Sequence, residues 1–508
     1  MSRNTIDTKL SQLTAELSGL KLDDSLLFLN HVLGVSRGFT TDPILERLLA
    51  DSRPPLSHFI HLMAKLLLLH ASDLGSRAMD WNDFQRLTNQ CITLDDPIQH
   101  DPNWKHSDPT GFFERILSQQ IGPQQRNLIQ KYGLALGLFR DVGIVEWPQP
   151  YDLRSDIESA LQMPIEHFMG MGYISFALRT AKHHDNECIG TFTPMKLAEA
   201  FSQGINFCVP EVWTPYLARV ACDRDTFRIV ASEEPYSVPN SAFEQFGFNP
   251  LRRYPITALS QSRYLATDPE LVIDRVTLGM FYDLFERDRT KFTQRFGFAF
   301  EQFVGQLLAS ACQTKRLWSA SDWELATGTQ KQRPSIGDWA YVGESCTVLL
   351  ECKSMRPSIE LATYGSESSI EELTKRVFSA IKQLIQHSVG INRGEWEQYG
   401  LPRAPTTAVV VTYGKFFTVN GPFTRQRINR LLADAKLTPI PFIVLSIEEL
   451  DSVVRLVESG HSFDSLVITL ASEESFNPLH KFKDELEEHC VSSFAFEKGN
   501  AFLDRIGQ

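Results

Sequence analysis

Asp338, Glu351 and Lys353 are the residues whose types and spacing could do chemistry. Glu351 and Lys353 flank Cys352 in Val348-Leu349-Leu350-Glu351-Cys352-Lys353; Asp338 precedes this run, and Glu301 lies in an apolar stretch further back. Carboxylates and an ammonium carried to the end of a buried strand are costly unless other charges offset them. Two carboxylates converging beside backbone carbonyls, here that of Cys352, form a hard, oxygen-rich pocket of the kind Mg²⁺ prefers, with Mn²⁺ as a substitute. Such an ion keeps several waters, takes substrate phosphate and lowers the pKa of a bound water. Lys353 would orient or deprotonate that water and neutralise the phosphate.

These groups can meet only if the chain between them doubles back. Ile336 to Val342 is rich in β-formers, Gly343-Glu344-Ser345 is turn chemistry, and Cys346 to Lys353 is β-rich again, which predicts a hairpin. The continuous apolar run Val348-Leu349-Leu350 suits a strand covered on both faces. Side chains on a strand repeat every two residues, so Glu351 and Lys353 share a face, and Asp338 reaches it if the register sets it opposite the Glu351 end.

The flanking elements follow from period. Phe296, Phe300, Phe303 and Leu307 recur at helical spacing with Glu301 beside them, and Leu373, Val377, Ile381, Leu384 and Ser388 mark a second amphipathic helix. Arg376 and Gln383 lie two turns apart on another stripe of that helix. Thr407 to Tyr413 and Phe442 to Leu445 read as strands. Ser446 with Glu449 forms a capping box opening a helix with Leu450, Val453, Val454 and Val457 inside.

Asp338, a gap of strand-turn-strand length and Glu351-Cys352-Lys353 resemble the signature of the PD-(D/E)XK, restriction-endonuclease-like nuclease superfamily. The resemblance spans roughly residues 290 to 460. It implies an α/β nuclease core of αβββαβ order with a mixed central sheet. Gly297-Phe298-Ala299-Phe300-Glu301 resembles the family's first helix, which implies a place for Glu301 in the metal shell. Gln383 matches a glutamine that exonuclease-like branches carry near the active site. The proline of the family name is missing, since Gly337 precedes Asp338 and Pro334 lies further back. Taken singly, each residue has an ordinary reading as a strand end, a turn or an exposed helix position. Their order along the chain is what selects the nuclease core.

Composition sets outer limits. A chain of 508 residues is too long for one compact core, and its apolar fraction of 43% is that of a globular protein. The start of the chain does not resemble a signal peptide, the apolar patch Leu66 to Leu69 is too short for a bilayer, and a cytoplasmic, non-membrane protein is expected. The eight cysteines include no Cys-x-x-Cys pair, so reduced thiols are expected. A net charge of −12 is awkward for a DNA enzyme, because counterion release favours basic proteins. Local patches must then bind the substrate, the candidates being Arg252, Arg253, Arg263, Arg356, Lys375, Arg376 and Lys382.

Residues 1–235 read as a mainly α-helical region, from apolar spacing in Leu26 to Val35, His58 to His70, Phe112 to Leu117 and Ile165 to Leu178. Residues 236–289 read as an extended connector, 290–470 as the nuclease domain and 471–508 as a C-terminal extension. The ligand-type residues at Asp95-Asp96, His100-Asp101, His106 to Asp108 and His183 to Cys188 read as polar loops, because their spacing does not direct them at one ion. Gly170-Met171-Gly172 reads as close helix packing. No P-loop, nucleophile elbow, His-Glu-x-x-His helix or dinucleotide fingerprint is present.

The expectation is therefore a Mg²⁺-dependent nuclease acting on DNA. The helical region would serve as a sensor, specificity or assembly module. The resemblance implies a setting in bacterial restriction or antiphage defence, with a protein partner of such a system and a homo-oligomer that brings two sites together. Two alternatives stay open: a catalytically silent nuclease-like module that binds nucleic acid or protein, and a nuclease directed at RNA.

Overall fold

The computed structural model describes residues 3–38, 41–51, 57–92, 109–121, 127–146, 150–180, 191–202, 204–205, 207–233, 247–287, 289–312, 314–327, 336–488 and 493–506. The ligand-type residues at 95–108 and 183–188 lie outside them. In the first part of the chain, helices Leu22–Ser36, Ser57–His70 and Ile165–Thr180 form as their apolar spacing predicts. Gly170 and Gly172 lie on the last of these. A Cβ on the first would strike the Phe207 ring and on the second the Val276 side chain, so close helix packing is their role.

Short strands accompany the helices. Strand β1 (Ile144–Glu146) pairs antiparallel with β2 (Pro150–Asp152). Strands β3 (Thr191–Phe192), β4 (Ala221–Cys222), β5 (Ile256–Ala258) and β6 (Tyr264–Ala266) make one sheet in the order β3-β6-β5-β4. Residues 250–287 are therefore not an extended connector: β5, β6 and the helix Pro269–Val276 belong to the helical region's own core, where Leu251, Leu259, Leu265 and Leu271 pack with Leu26, Leu29 and Leu67. Pro269 starts a helix here, following Asp268, whose carboxylate accepts from Glu270 N at 2.9 Å.

Further on, β7 (Leu317–Ser319), β8 (Trp339–Val342), β9 (Thr347–Lys353), β10 (Thr406–Thr412) and β11 (Phe442–Ser446) form a five-stranded sheet in the order β11-β10-β9-β8-β7. β9, β10 and β11 are parallel, β8 pairs antiparallel with β9 and β7 antiparallel with β8, so β8 alone runs against the others and the sheet is mixed. Alternate residues enter opposite cores, as the period of two requires. Val348 and Leu350 pack toward helices Arg289–Ala311 and Ile447–Glu458, and Leu349 toward helices Glu367–Arg393 and Pro422–Asp434. Phe296, Phe300, Phe303 and Leu307 are fully buried, each worth roughly 1.5–3 kcal/mol. The capping box at Ser446 and Glu449 is present.

The two parts of the chain meet through buried contacts. Glu114, on helix Thr110–Ile116, accepts from Phe417 N at 3.1 Å, Thr418 N at 2.7 Å and Thr418 Oγ1 at 2.6 Å. Gly111 and Gly365 are packed backbone to backbone, with no room for a Cβ on either. Helix Phe494–Ile506 returns to pack on Leu128–Ala135, where Tyr132 stacks on Phe502 with ring centroids 5.2 Å apart. No helix among the described residues is long and apolar enough to cross a membrane.

Candidate active site

The hairpin of β8 and β9 pairs Trp339 with Leu350, so one step further sets Asp338 opposite Glu351. Asp338 is not in the strand, as Ile336 to Val342 suggested; it occupies a bend just before it. Gly337 makes that bend, with φ of +88°, and a Cβ there would fall 2.7 Å from the Leu350 carbonyl oxygen. Proline, locked near −65°, could not adopt this conformation, which accounts for glycine at the position. The bend lets Asp338 N donate to Leu350 O at 3.1 Å and Asp338 Oδ2 accept from Cys352 N at 2.6 Å. Asp338 is thereby locked across the end of β9.

Glu351 is 2% exposed, and its Oε1 accepts from Lys353 Nζ at 2.6 Å. Its other oxygen, Oε2, is buried without a hydrogen-bond partner. Gln383, on the Glu367–Arg393 helix, faces this carboxyl group and favours its ionised form. Glu301, on the Arg289–Ala311 helix, approaches from the other layer, and Trp339 Nε1 ties that helix to β8 by donating to Glu301 O at 3.0 Å. Gly305 leaves the space that the Trp339 indole fills.

Burial pushes the Glu351 carboxyl up to about 7, with the Asp338 charge adding to it and Lys353 opposing. Glu301 is pushed up to about 8, by burial first and then by Asp338 and Glu351. Burial also raises Asp338, against the Cys352 amide and Lys353. For Lys353, burial disfavours the ammonium, but Glu351 and Asp338 outweigh it and hold the pKa above the ordinary lysine value. Cys352 is raised well above the usual thiol range by burial and the three carboxyls, so it is an inert thiol.

The site accordingly brings together Asp338, Glu351, Lys353, Glu301 and Gln383. Its donors are oxygens, one of them buried and unpartnered, and burial raises all three carboxyls, with neighbouring negative charge adding to it for Glu301 and Glu351. A hard divalent cation would relieve each of these features. Among the described residues no three His, Cys, Asp or Glu side chains form a ready-made ligand set. Asp338 and Glu351 would then hold an ion as a pair, with backbone, water and substrate oxygens completing its shell.

The basic candidates divide. Arg253 is engaged by Glu286 at 2.9 Å, Arg263 by Asp23 at 3.6 Å, Lys375 by Glu371 at 3.2 Å, and Arg376 by Glu372. Helix and loop neighbours of opposite sign thus compete for these charges. Lys382 is exposed. Arg252 is exposed in a recess whose crowding lowers its pKa, with Tyr282 and Asp274 acting the other way. Arg356 is stacked among aromatic rings.

Two residues escape a reading by sequence. Lys415 pairs with Glu449 at 3.1 Å just beyond β10, whose Thr412 lies beside Lys353. Its signal is its position after the carboxyl end of a parallel strand, the edge where α/β sheets bind ligands. Tyr282 lies next to Arg356, and its signal is an aromatic off the core-facing stripe of Phe281, Leu284 and Phe285. Comparison with protein-family profiles, curated proteins and solved structures finds no match to the chain.

Proposed function

We propose that the chain is a Mg²⁺-dependent nuclease of the PD-(D/E)XK type that hydrolyses phosphodiester bonds in DNA. The observation that carries this reading is the meeting of Asp338 and Glu351 at the end of β9, with Lys353 bonded to one Glu351 oxygen and the other oxygen buried without a partner. Asp338, Glu351 and the Cys352 carbonyl would hold Mg²⁺ or Mn²⁺, with Glu301 supporting. Bound there, the ion supplies charge stabilisation for a phosphoryl group and a more acidic water.

The chain's own residues have separable tasks. Asp338, pinned by the Cys352 amide, fixes one carboxylate so that no reorganisation is needed when substrate arrives. Lys353 is 36% exposed, so its ammonium is open to a phosphate oxygen or an attacking water while anchored by Glu351. Gln383 helps orient Glu351 and could contact the water or substrate. Cutting both strands of a duplex would bring two copies together, and a defence-system partner could deliver DNA to so acidic a chain.

The test is degradation of plasmid and of linear single strands by purified protein with Mg²⁺, beside Asp338→Ala and Lys353→Ala. Either change should lower the rate on the order of 10²-fold or more. Indistinguishable behaviour of wild type and both variants would overturn the enzymatic reading. Direct pairing of Lys353 with Glu351 in place of a three-ligand set favours a second reading, a silent module that binds nucleic acid or protein. Retained binding without cleavage would establish it, and RNA offered beside DNA separates an RNA-directed enzyme.

A further inference from the structure

Beyond β9 the chain turns through Ser354 and Met355 to Arg356. The Arg356 guanidinium carbon lies 3.8 Å from the ring centroid of Tyr282, 4.2 Å from that of Phe281 and 4.5 Å from that of Phe285. Phe281 is buried, whereas Tyr282 is 45% exposed. The Tyr282 ring thus rests on a guanidinium and remains open to solvent, a cation–π arrangement that holds a flat aromatic surface in place.

That surface is tied to the catalytic strand. Phe281 stacks on Tyr413 at 5.1 Å, the Tyr413 hydroxyl donates to the Leu278 carbonyl, and Tyr413 N donates to Lys353 O at 3.3 Å. Arg356 follows Lys353 by three residues, so their α-carbons are at most about 11 Å apart. One strand of nucleic acid can touch both. Arg252 is exposed nearby: the adjacent Arg253 pairs at 2.9 Å with Glu286, which lies one turn from Tyr282 on helix Phe281–Arg287, and Arg252 itself donates to Ser118 O at 3.1 Å. Its guanidinium is bonded to a backbone carbonyl, whereas that of Arg253 is bonded to the Glu286 carboxylate.

A lone exposed aromatic needs no explanation. The conjunction is what selects a ligand: an open ring held on Arg356, an exposed arginine beside it, and the end of the strand carrying Lys353. We propose that Tyr282 is a stacking platform for an unpaired base of single-stranded DNA, with Arg252 taking an adjoining phosphate, so that the strand runs across this rim toward Lys353. This rests on the nuclease reading and gives that site a substrate class. Stacking uses a base face that a duplex keeps covered, so the platform favours single strands over duplex and tolerates any sequence. In a chain of net charge −12, an aromatic contact also supplies affinity that phosphate attraction alone would not.

The test measures binding of a fluorescein-labelled single strand and of a blunt duplex to full-length protein in EDTA, where cleavage does not interfere. Tyr282→Ala should weaken single-strand binding about tenfold and duplex binding less than about twofold, while Tyr282→Phe stays within about twofold of wild type. Arg252→Gln should flatten the salt dependence by about one phosphate contact. Unchanged single-strand affinity in Tyr282→Ala overturns the platform, as does an equal loss for Tyr282→Ala and Tyr282→Phe or for single strand and duplex. Plasmid cleavage by wild type against Asp338→Ala is scored separately. If wild type cuts, Asp338→Ala does not, and Tyr282→Ala binds normally, the platform fails and the nuclease reading stands. If binding depends on Tyr282 but nothing is cut, the nuclease reading fails and the rim survives as a binding surface.

Discussion

Glu301, Glu351 and Asp338 are carboxyls raised by burial, and Glu301 and Glu351 also by neighbouring charge, which has a direct consequence for stability. A carboxyl whose folded pKa lies above its unfolded value stabilises the fold fully below the unfolded pKa, near 4, and loses that contribution as pH rises through the folded pKa. Here the loss runs up to about 7 for Glu351 and about 8 for Glu301. In EDTA the melting midpoint of the wild type should therefore fall between about pH 5 and about pH 8.5. Glu301→Gln should flatten that fall, gaining roughly 1–3 kcal/mol at the alkaline end and little at the acid end. Mg²⁺ should raise the wild-type midpoint at pH 8.5, by mass action on the folded state, and should do so much less in Asp338→Ala. A flat wild-type profile would refute the mutual repulsion inferred for this site.

The hairpin is the element on which the site depends, and its decisive residue is Gly337. With φ of +88° and the Leu350 carbonyl 2.7 Å from any added Cβ, Gly337→Ala should cost about 1–3 kcal/mol, read as a lower urea midpoint. Cleavage should fall more than stability, because Asp338 loses its hold on the Cys352 amide; an alanine variant with full activity would contradict this. Proline should be worse still, being unable to reach positive φ. The hairpin, the shared face of Glu351 and Lys353 and the two amphipathic helices were legible in the residues. The start of β8 was not, since β-propensity in Ile336 and Trp339 says nothing of a bend between them.

At the scale of the whole molecule, the helical region is joined to the sheet layers by buried polar contacts. Glu114 accepts three hydrogen bonds from Phe417 and Thr418, and replacing it with glutamine turns an NH2 donor toward groups that are themselves donors. Glu114→Gln should cost about 1–3 kcal/mol in denaturant melts. Asp451 is a second buried carboxyl, raised by burial as Glu114 is. It accepts from Gln130 Nε2 at 2.7 Å, and burial pushes it up to about 7. Its stabilising contribution is lost as pH rises from about 4 toward that value. Asp451→Asn should leave stability near pH 4 unchanged and raise it at about pH 8, measured as the difference between melting curves at the two values. Equal effects at both would show that packing, not charge, governs the position.

The sequence by itself determined the local pieces: a strand buried on both faces ending in Glu351 and Lys353, a turn before it, and helices whose apolar stripes Phe296 to Leu307 and Leu373 to Leu384 cover the two faces. Period and turn chemistry are local, so they can be read without knowing what packs where. Only the tertiary structure decided what is opposite what. It set Asp338 beside Cys352, drew Glu301 in from the other layer, paired Arg253 with Glu286, folded the supposed connector into a sheet, and brought Tyr282 to Arg356. Those are contacts between residues far apart in the chain or across a loop, and they depend on register and side-chain competition that no single segment encodes.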